Sequence, residues 1–354
     1  MRRILFLALT TLILFTGCHK EEKKVPLDNS FLLLVKSQGR YGYCDRNGNM
    51  AIPAQYEGAS MFSDGLAAVS RFGKRGYIDM KGTMVIPPSF DAGLIFMEGR
   101  AAVKKGDLWG YINRSGEWVT GLEYLSTFAF TEGLAAVVLN KGKEARAGYI
   151  DRNGKFAINP QFDDASHFSE GLAAVKIKNQ HGYIDKTGKL VIPAQFYEAA
   201  MFHDGLAMIK VNGKFGIIGY IDHSGNRVIP EQYAEGTSFH EGVAAVRKKD
   251  KWLLIDTKGN LIINKEFDAP TIYTEGLAPV MVNKKVGYMD KQGKMVIKPQ
   301  FQSGSIFVNG IAPVQVGDKC GYIDKAGKMV IKPHFDWDQF AIDQFTNYYT
   351  HFVK

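Results

Sequence analysis

The tetrapeptide Gly-Tyr-Ile-Asp, or a close variant, occurs nine times in this chain of 354 residues, starting at positions 42, 76, 110, 148, 182, 219, 253, 287 and 321. Successive starts lie 34 residues apart except after the third, where the gap is 38, and after the fifth, where it is 37. A period of this length means stacked supersecondary units, none of which buries its apolar face alone. It also constrains function. A residue found at the same place in every unit is explained first by the fold of the unit.

Residues 171–202 serve as a specimen. Leu172-Ala173-Ala174-Val175, Gly182-Tyr183-Ile184-Asp185 and Lys189-Leu190-Val191-Ile192-Pro193 are short runs rich in β-branched and aromatic residues, with turn residues between them. They read as three strands, followed by a looser segment ending at Phe202. The 34-residue period also suits helical repeats, but Gly and Pro punctuation and the absence of a capped amphipathic stretch argue against helices. Tyr and Ile, being adjacent on a strand, take opposite faces.

Three residues after the Asp (Asn113 in the third unit), Gly stands in all nine units, as at Gly48, Gly82 and Gly188. Asp accepts backbone N–H groups in a turn, and Gly supplies the positive φ that closes it. These carboxylates are therefore turn residues. A calcium loop needs several carboxylates within one loop, and they are lacking. A second landmark, acidic residue-Gly before Leu-Ala-Ala-Val, lies 23 residues after the start of each of the first eight tetrapeptides, at Gly65, Gly99, Gly133, Gly171, Gly205, Gly242 and Gly276, with Asn309-Gly310 as a variant. The Ala pair permits close approach by a neighbouring unit. All length variation falls in the remaining stretch, which makes the loops around residues 141–144 and 212–214 surface hairpin tips.

The two ends of the chain depart from the pattern. Arg2 and Arg3 precede an apolar run from Ile4 to Phe15, a secretory signal too short to span a bilayer. Phe15-Thr16-Gly17-Cys18 resembles a relaxed bacterial lipobox, which implies cleavage before Cys18 and acylation of its thiol. An ordinary signal peptide ending near a Cys is the alternative. Residues 1–17 are thus expected to be the signal, 18–30 a charged tether, 31–340 the repeat array and 341–354 an aromatic cap on the last unit. Phe31 to Val35 stands where a Leu-Ala-Ala-Val strand belongs and reads as the opening cap.

The net charge is +8, with lysines spread through the turns, so weak attraction to acidic polymers or anionic headgroups follows. An exported chain argues against nucleic acid. Cys44 and Cys320 fall on opposite faces of their strands, which places a disulfide poorly and favours buried thiols.

Segments such as Leu108-Trp109-Gly110-Tyr111-Ile112-Asn113 and Phe168-Ser169-Glu170-Gly171-Leu172-Ala173-Ala174-Val175 are similar to WG (KWG) repeats. The resemblance covers about residues 31–340. This chain keeps the Trp only at Trp109 and, shifted beside Leu253, at Trp252; elsewhere the place is taken by Tyr41, Arg75, Ala147, His181, Ile218, Val286 and Cys320. The family is β-rich, common in bacterial exported proteins and tied to no single activity, so the resemblance implies no catalytic residue and no cofactor.

The expected fold is all-β: about nine three-stranded antiparallel units of 34 residues in an open, curved superhelix. A closed propeller-like ring is the alternative, disfavoured because propellers usually have four to eight four-stranded blades. No catalytic motif, metal spacing or cofactor loop is present, so the chain is not expected to be an enzyme. His203 and His240 occupy equivalent places in adjacent units; stacking could pair them as metal ligands or a pH-responsive pair, although two exposed loop imidazoles is the plainer reading. The Tyr column is either a core ladder or an aromatic platform for sugar or peptide. The expected function is a lipid-anchored, non-catalytic module of the bacterial cell envelope that binds a protein or glycan partner, and no nucleic acid. A structural or accessory envelope lipoprotein without a discrete ligand is the alternative.

Overall fold

The computed structural model describes residues 31–141, 144–211, 216–339 and 341–343. The expected signal, Cys18 and the tether lie outside these residues, as do most of the aromatic cap and the tips 142–143 and 212–215. The fold is all-β and tandem, as the period requires.

In the specimen unit four strands form a meander in chain order: Asp164–Ser169, Leu172–Ile177, Gln180–Asp185 and Leu190–Phe196. Three of these are the expected ones. The leading strand is an addition, because the looser segment pairs with the Leu-Ala-Ala-Val strand through a bulge between Ala165 and Phe168. That bulge hides it from the sequence, since it breaks the period-2 alternation that marks a strand. The next sheet repeats it as Glu198–His203, while in five others the leading strand shrinks to a pair of residues, such as Gly58–Ala59.

The middle strands are buried on both faces because each sheet is sandwiched between two others. Ala173, Val175 and Ile184 face the preceding sheet and pack on Tyr149, Ile158 and Phe162. Leu172, Ala174 and Tyr183 face the following one and pack on Phe202, Ala207 and Ile221. The two alanines thus serve different neighbours, and Tyr and Ile take opposite faces as expected. Each large side chain buried this way contributes about 1.5–3 kcal/mol. The core is a series of slabs between sheets, with none inside a single unit.

Gly in the tetrapeptide is demanded by the fourth strand: a Cβ at Gly76 would lie 2.5 Å from the Ile86 carbonyl oxygen. The turn Gly meets the preceding unit instead. At Gly82, with φ +80°, a Cβ would lie 3.3 Å from Ile52 of the first unit.

The same contact recurs from unit to unit and then joins the ends, since a Cβ at Gly48 of the first unit would lie 2.8 Å from Ile331 of the ninth. The first described strand, Leu33–Ser37, pairs with the last, Met329–Asp336, through Lys36 and Asp336, so one sheet order runs from the ninth unit into the first. Asp336 also accepts the Gly39 N–H at 3.1 Å, as Glu57 accepts Gly73 N–H at 3.0 Å and Asp91 accepts Gly106 N–H at 2.7 Å within the array. Of the two arrangements of the expected array, the units therefore take the ring. Leu33–Ser37 is a seam strand rather than a free cap. The chain begins the first sheet's leading strand at Asp336, then leaves it for a helical turn that Asp338 caps by accepting Ala341 N–H. Nine sheets close without a barrel.

Antiparallel order sorts the turns onto two ends of the ring. The acidic residue-Gly turns and the Asp-to-Gly turns share one end, here the carboxylate end. The hairpin tips after the Leu-Ala-Ala-Val strand share the other with the corners between units, here the hairpin end. The extra residues in the fourth unit extend one such hairpin, Leu134–Lys141 with Glu144–Asp151, as the length variation predicts.

Candidate functional site

The side chains that recur in every unit are engaged in holding the ring. The Asp carboxylates cap their own turns: Asp151 accepts N–H groups of Asn153 at 2.8 Å and Lys155 at 3.0 Å, and the same pair of bonds appears at Asp45, Asp79, Asp185, Asp222, Asp256, Asp290 and Asp324. The Lys155 N–H bond, with that of Asn153, holds the Asp151 carboxyl below its usual range.

The Tyr column is a core ladder. Tyr77, Tyr111, Tyr149, Tyr183 and Tyr220 have no exposed surface, and each hydroxyl donates to the carbonyl 17 residues on, as in Tyr183 to Ala200 at 2.7 Å. Burial pushes these phenols well above the usual range. Each ring also meets a Phe of the segment that leads into the next sheet, as Tyr183 meets Phe202 at 4.9 Å. The buried rings leave no platform for sugar stacking.

The acidic residue-Gly turn is a two-residue hairpin with both central residues at positive φ, such as Glu98 (52°) and Gly99 (77°). Asn or Asp takes such a φ more readily than Glu. The choice has a reason, because Glu98 reaches the next unit, accepts Gly133 N–H at 2.9 Å and pairs with Arg152 at 2.7 Å. Glu132–Lys186, Glu241–Lys291 and Glu275–Lys325 repeat the ion pair at 3.0–3.1 Å. This end of the ring is a ladder of compensated charge.

Units five to seven vary that ladder. His223 replaces the cation, with Nε2 3.2 Å from Glu170, and stacks on Phe202 at 4.3 Å. Thr257 stands where the next unit would offer a cation to Asp204. His203 and His240 are brought together at 5.2 Å between ring centroids, and both are half-buried rather than exposed. Among the described residues no group of three or more metal-ligating side chains gathers there or elsewhere.

Cys44 and Cys320 are free and buried in the core of the closure seam, with Tyr322 and Ile331, and burial pushes both thiols up to about 12. A cavity at the same seam, lined by Leu34, Val35, Tyr322 and Ala341, has room for about one water. It marks where the chain abandons the first sheet's leading strand.

The hairpin end presents the variable side chains. Its tips carry Lys and Arg beside isolated apolar residues, among them Phe72, which is 92% exposed. The sequence shows these residues one at a time, and only the antiparallel meander shows that they share an end.

The family model for the WG containing repeat matches nine consecutive stretches: 41–74, 76–109, 109–143, 148–180, 182–215, 218–252, 254–285, 287–320 and 321–347. The chain belongs to the WG repeat family. This family is a repeat module rather than an enzyme family. The family's repeat begins at the third strand of a sheet, so each WG repeat contributes the last two strands of one sheet and the first two of the next. No curated protein matches the chain. Among solved structures it is similar to a eukaryotic initiation factor, with 10% identity, TM-score 0.60, and coverage of 86% of this chain and 96% of that one. That likeness concerns fold alone. Hsv2p of Kluyveromyces lactis (10% identity, TM-score 0.38, 64% and 90% covered) and puromycin hydrolase (11%, 0.36, 72% and 60%) are more distant.

Proposed function

We propose that this WG repeat protein is an exported, lipid-anchored and non-catalytic module of the bacterial cell envelope that holds a protein or glycan partner on the surface of its ring. The observation that carries the reading is the division of labour between side chains. Tyr, Asp and Glu of the repeat are committed to the scaffold, while the hairpin tips change from unit to unit on a rigid frame. A scaffold with variable loops is the arrangement of a binding protein. Among the described residues the perturbed ionisable groups are explained by burial, turns or ion pairs, and none pairs an acid or base with a nucleophile in a cleft.

The envelope placement rests on Thr16-Gly17-Cys18 and the apolar run before it. Metabolic labelling with a palmitate analogue tests it. The chain should take up label in the membrane fraction, and Cys18→Ala should abolish uptake. Label in the Cys18→Ala variant would refute the anchor. A pull-down from envelope extract with the chain starting at His19, against the same chain with substituted hairpin tips, tests the binding role. Identical protein and glycan profiles for the two would refute it.

A further inference from the structure

Phe72 is placed against two rules at once. It occupies the first central position of a two-residue hairpin turn at φ 52°, a left-handed conformation that bulky side chains avoid. Equivalent tips use residues that suit the turn or the solvent, such as Gln38, Lys249 and Asn283. It is also 92% exposed, so no packing within the chain offsets the strain. Met281 (53%), Val282 (42%) and Val316 (41%) are exposed on other tips of the same end.

These apolar tips stand among cations. Arg71, Lys105, Lys178, Lys248, Lys249 and Lys284 lie on the hairpin end and make no ion pair among the described residues. The corner carboxylates Glu57, Asp91, Asp268 and Asp336 are engaged by Arg40, Lys74, Lys251 and Lys319. The opposite end, by contrast, is laddered with matched pairs. The even spread of lysine along the sequence therefore becomes an uneven distribution over the ring: one end neutralised, the other positive and studded with apolar tips.

We propose that, when no partner occupies its tips, the hairpin end docks on an anionic lipid surface, with cations at the headgroups and Phe72 in the interfacial layer. Basic residues beside exposed aromatic and aliphatic ones are the chemistry of peripheral attachment to anionic bilayers, and an acidic protein would need the charge without the prongs. The proposal rests on the envelope placement above, and the chain's own length allows it. Leu33 starts its strand at the carboxylate end, and residues 19–30, fully extended, reach about 40 Å. That exceeds the length of one strand, about 17–20 Å, so an anchored Cys18 and a docked hairpin end can share one bilayer.

The test uses the chain starting at His19, which keeps every described strand and has no acylation site, so its outcome is separate from that of the labelling experiment. It should co-sediment with vesicles of phosphatidylcholine containing about one quarter phosphatidylglycerol, not with phosphatidylcholine alone, and salt of about 1 M should release it. Lys248→Glu with Lys249→Glu should weaken binding about tenfold or more, at about 1 kcal/mol per basic residue. Phe72→Asn should weaken it about tenfold. Asn accepts the positive φ, so this variant keeps the turn, and an unchanged circular dichroism spectrum checks that it folds. Lys155→Glu with Lys189→Glu, on the carboxylate end, should stay within about twofold. Three results would each overturn the proposal: no sedimentation with anionic vesicles, equal loss from substitutions at either end, or charge-reversal loss with Phe72→Asn unchanged. The last would mark the end as a site for soluble polyanions.

Discussion

Ring closure can be tested with the two thiols it conceals. In the chain starting at His19, Cys44 and Cys320 are the only cysteines, and they lie on either side of the seam between the first and ninth units. With pKa values of about 12, only about one thiol in ten thousand is ionised at pH 8, against about a quarter for an ordinary thiol near 8.5. Thiolate fraction alone should slow reaction with Ellman's reagent by about three orders of magnitude, and burial should slow it further. Ile331, 1% exposed, faces Gly48 across the seam, and Ile192, also 1% exposed, faces Gly225 inside the array. Replacing either by Ala should cost about 2–5 kcal/mol. Ile331→Ala weakens the seam itself, so local opening should raise the thiol rate at least about thirtyfold. Ile192→Ala, at similar cost, should expose the thiols only through global unfolding. Wild-type thiols that react at the speed of exposed cysteine would refute closure. Equal acceleration by both variants would refute a seam that opens by itself.

Four further outcomes concern the scaffold. Tyr183→Phe keeps the ring but orphans the Ala200 carbonyl, and should lose about 1–3 kcal/mol in urea titration, whereas Tyr197→Phe, on an exposed ring, should be neutral. Gly76→Ala drives a methyl into backbone and should cost several kcal/mol or abolish folding, while Gly121→Ala, with nothing within 4 Å, should fold normally by circular dichroism. A double-mutant cycle on Glu98 and Arg152 should yield a coupling below about 1 kcal/mol, since both are partly exposed. Asp151, Asp185 and Asp222 have carboxyls held below their unfolded values, so their contribution is complete above about pH 4 and is lost as pH falls through the folded values. Thermal melts should therefore drop on acidification below about pH 4 and stay level from there to neutrality.

Local chemistry was legible in the sequence because it repeats within a few residues. Asp185 and Gly188 declare their turn, Tyr183 and Ile184 declare opposite faces, and the invariant 23-residue span separates frame from loop. The leading strand was hidden because Asp164–Ser169 carries a bulge and no alternation. Closure was hidden because the rotation between neighbours is a property of packing, set by contacts such as Ile52 on Gly82, and no residue spells it out. The paired imidazoles were half visible: equivalence in register suggested that His203 and His240 meet, while their partial burial depends on the adjoining sheets. The basic end was invisible for a different reason. Lysines alternate with acids along the chain, and only the antiparallel meander sends alternate turns to opposite ends.

Each WG repeat is divided between two sheets, and this sets the order in which the molecule can be finished. Lys36 must wait for Asp336, about 300 residues later, before the first sheet gains a partner on its leading edge. A chain synthesised from its amino terminus would expose the first sheet's open edge until the ninth repeat arrives. Pairing across so long a separation is entropically costly and slow to form. The last repeat to emerge is therefore the one that protects the first, and a truncated chain would lose the seam along with its own strands.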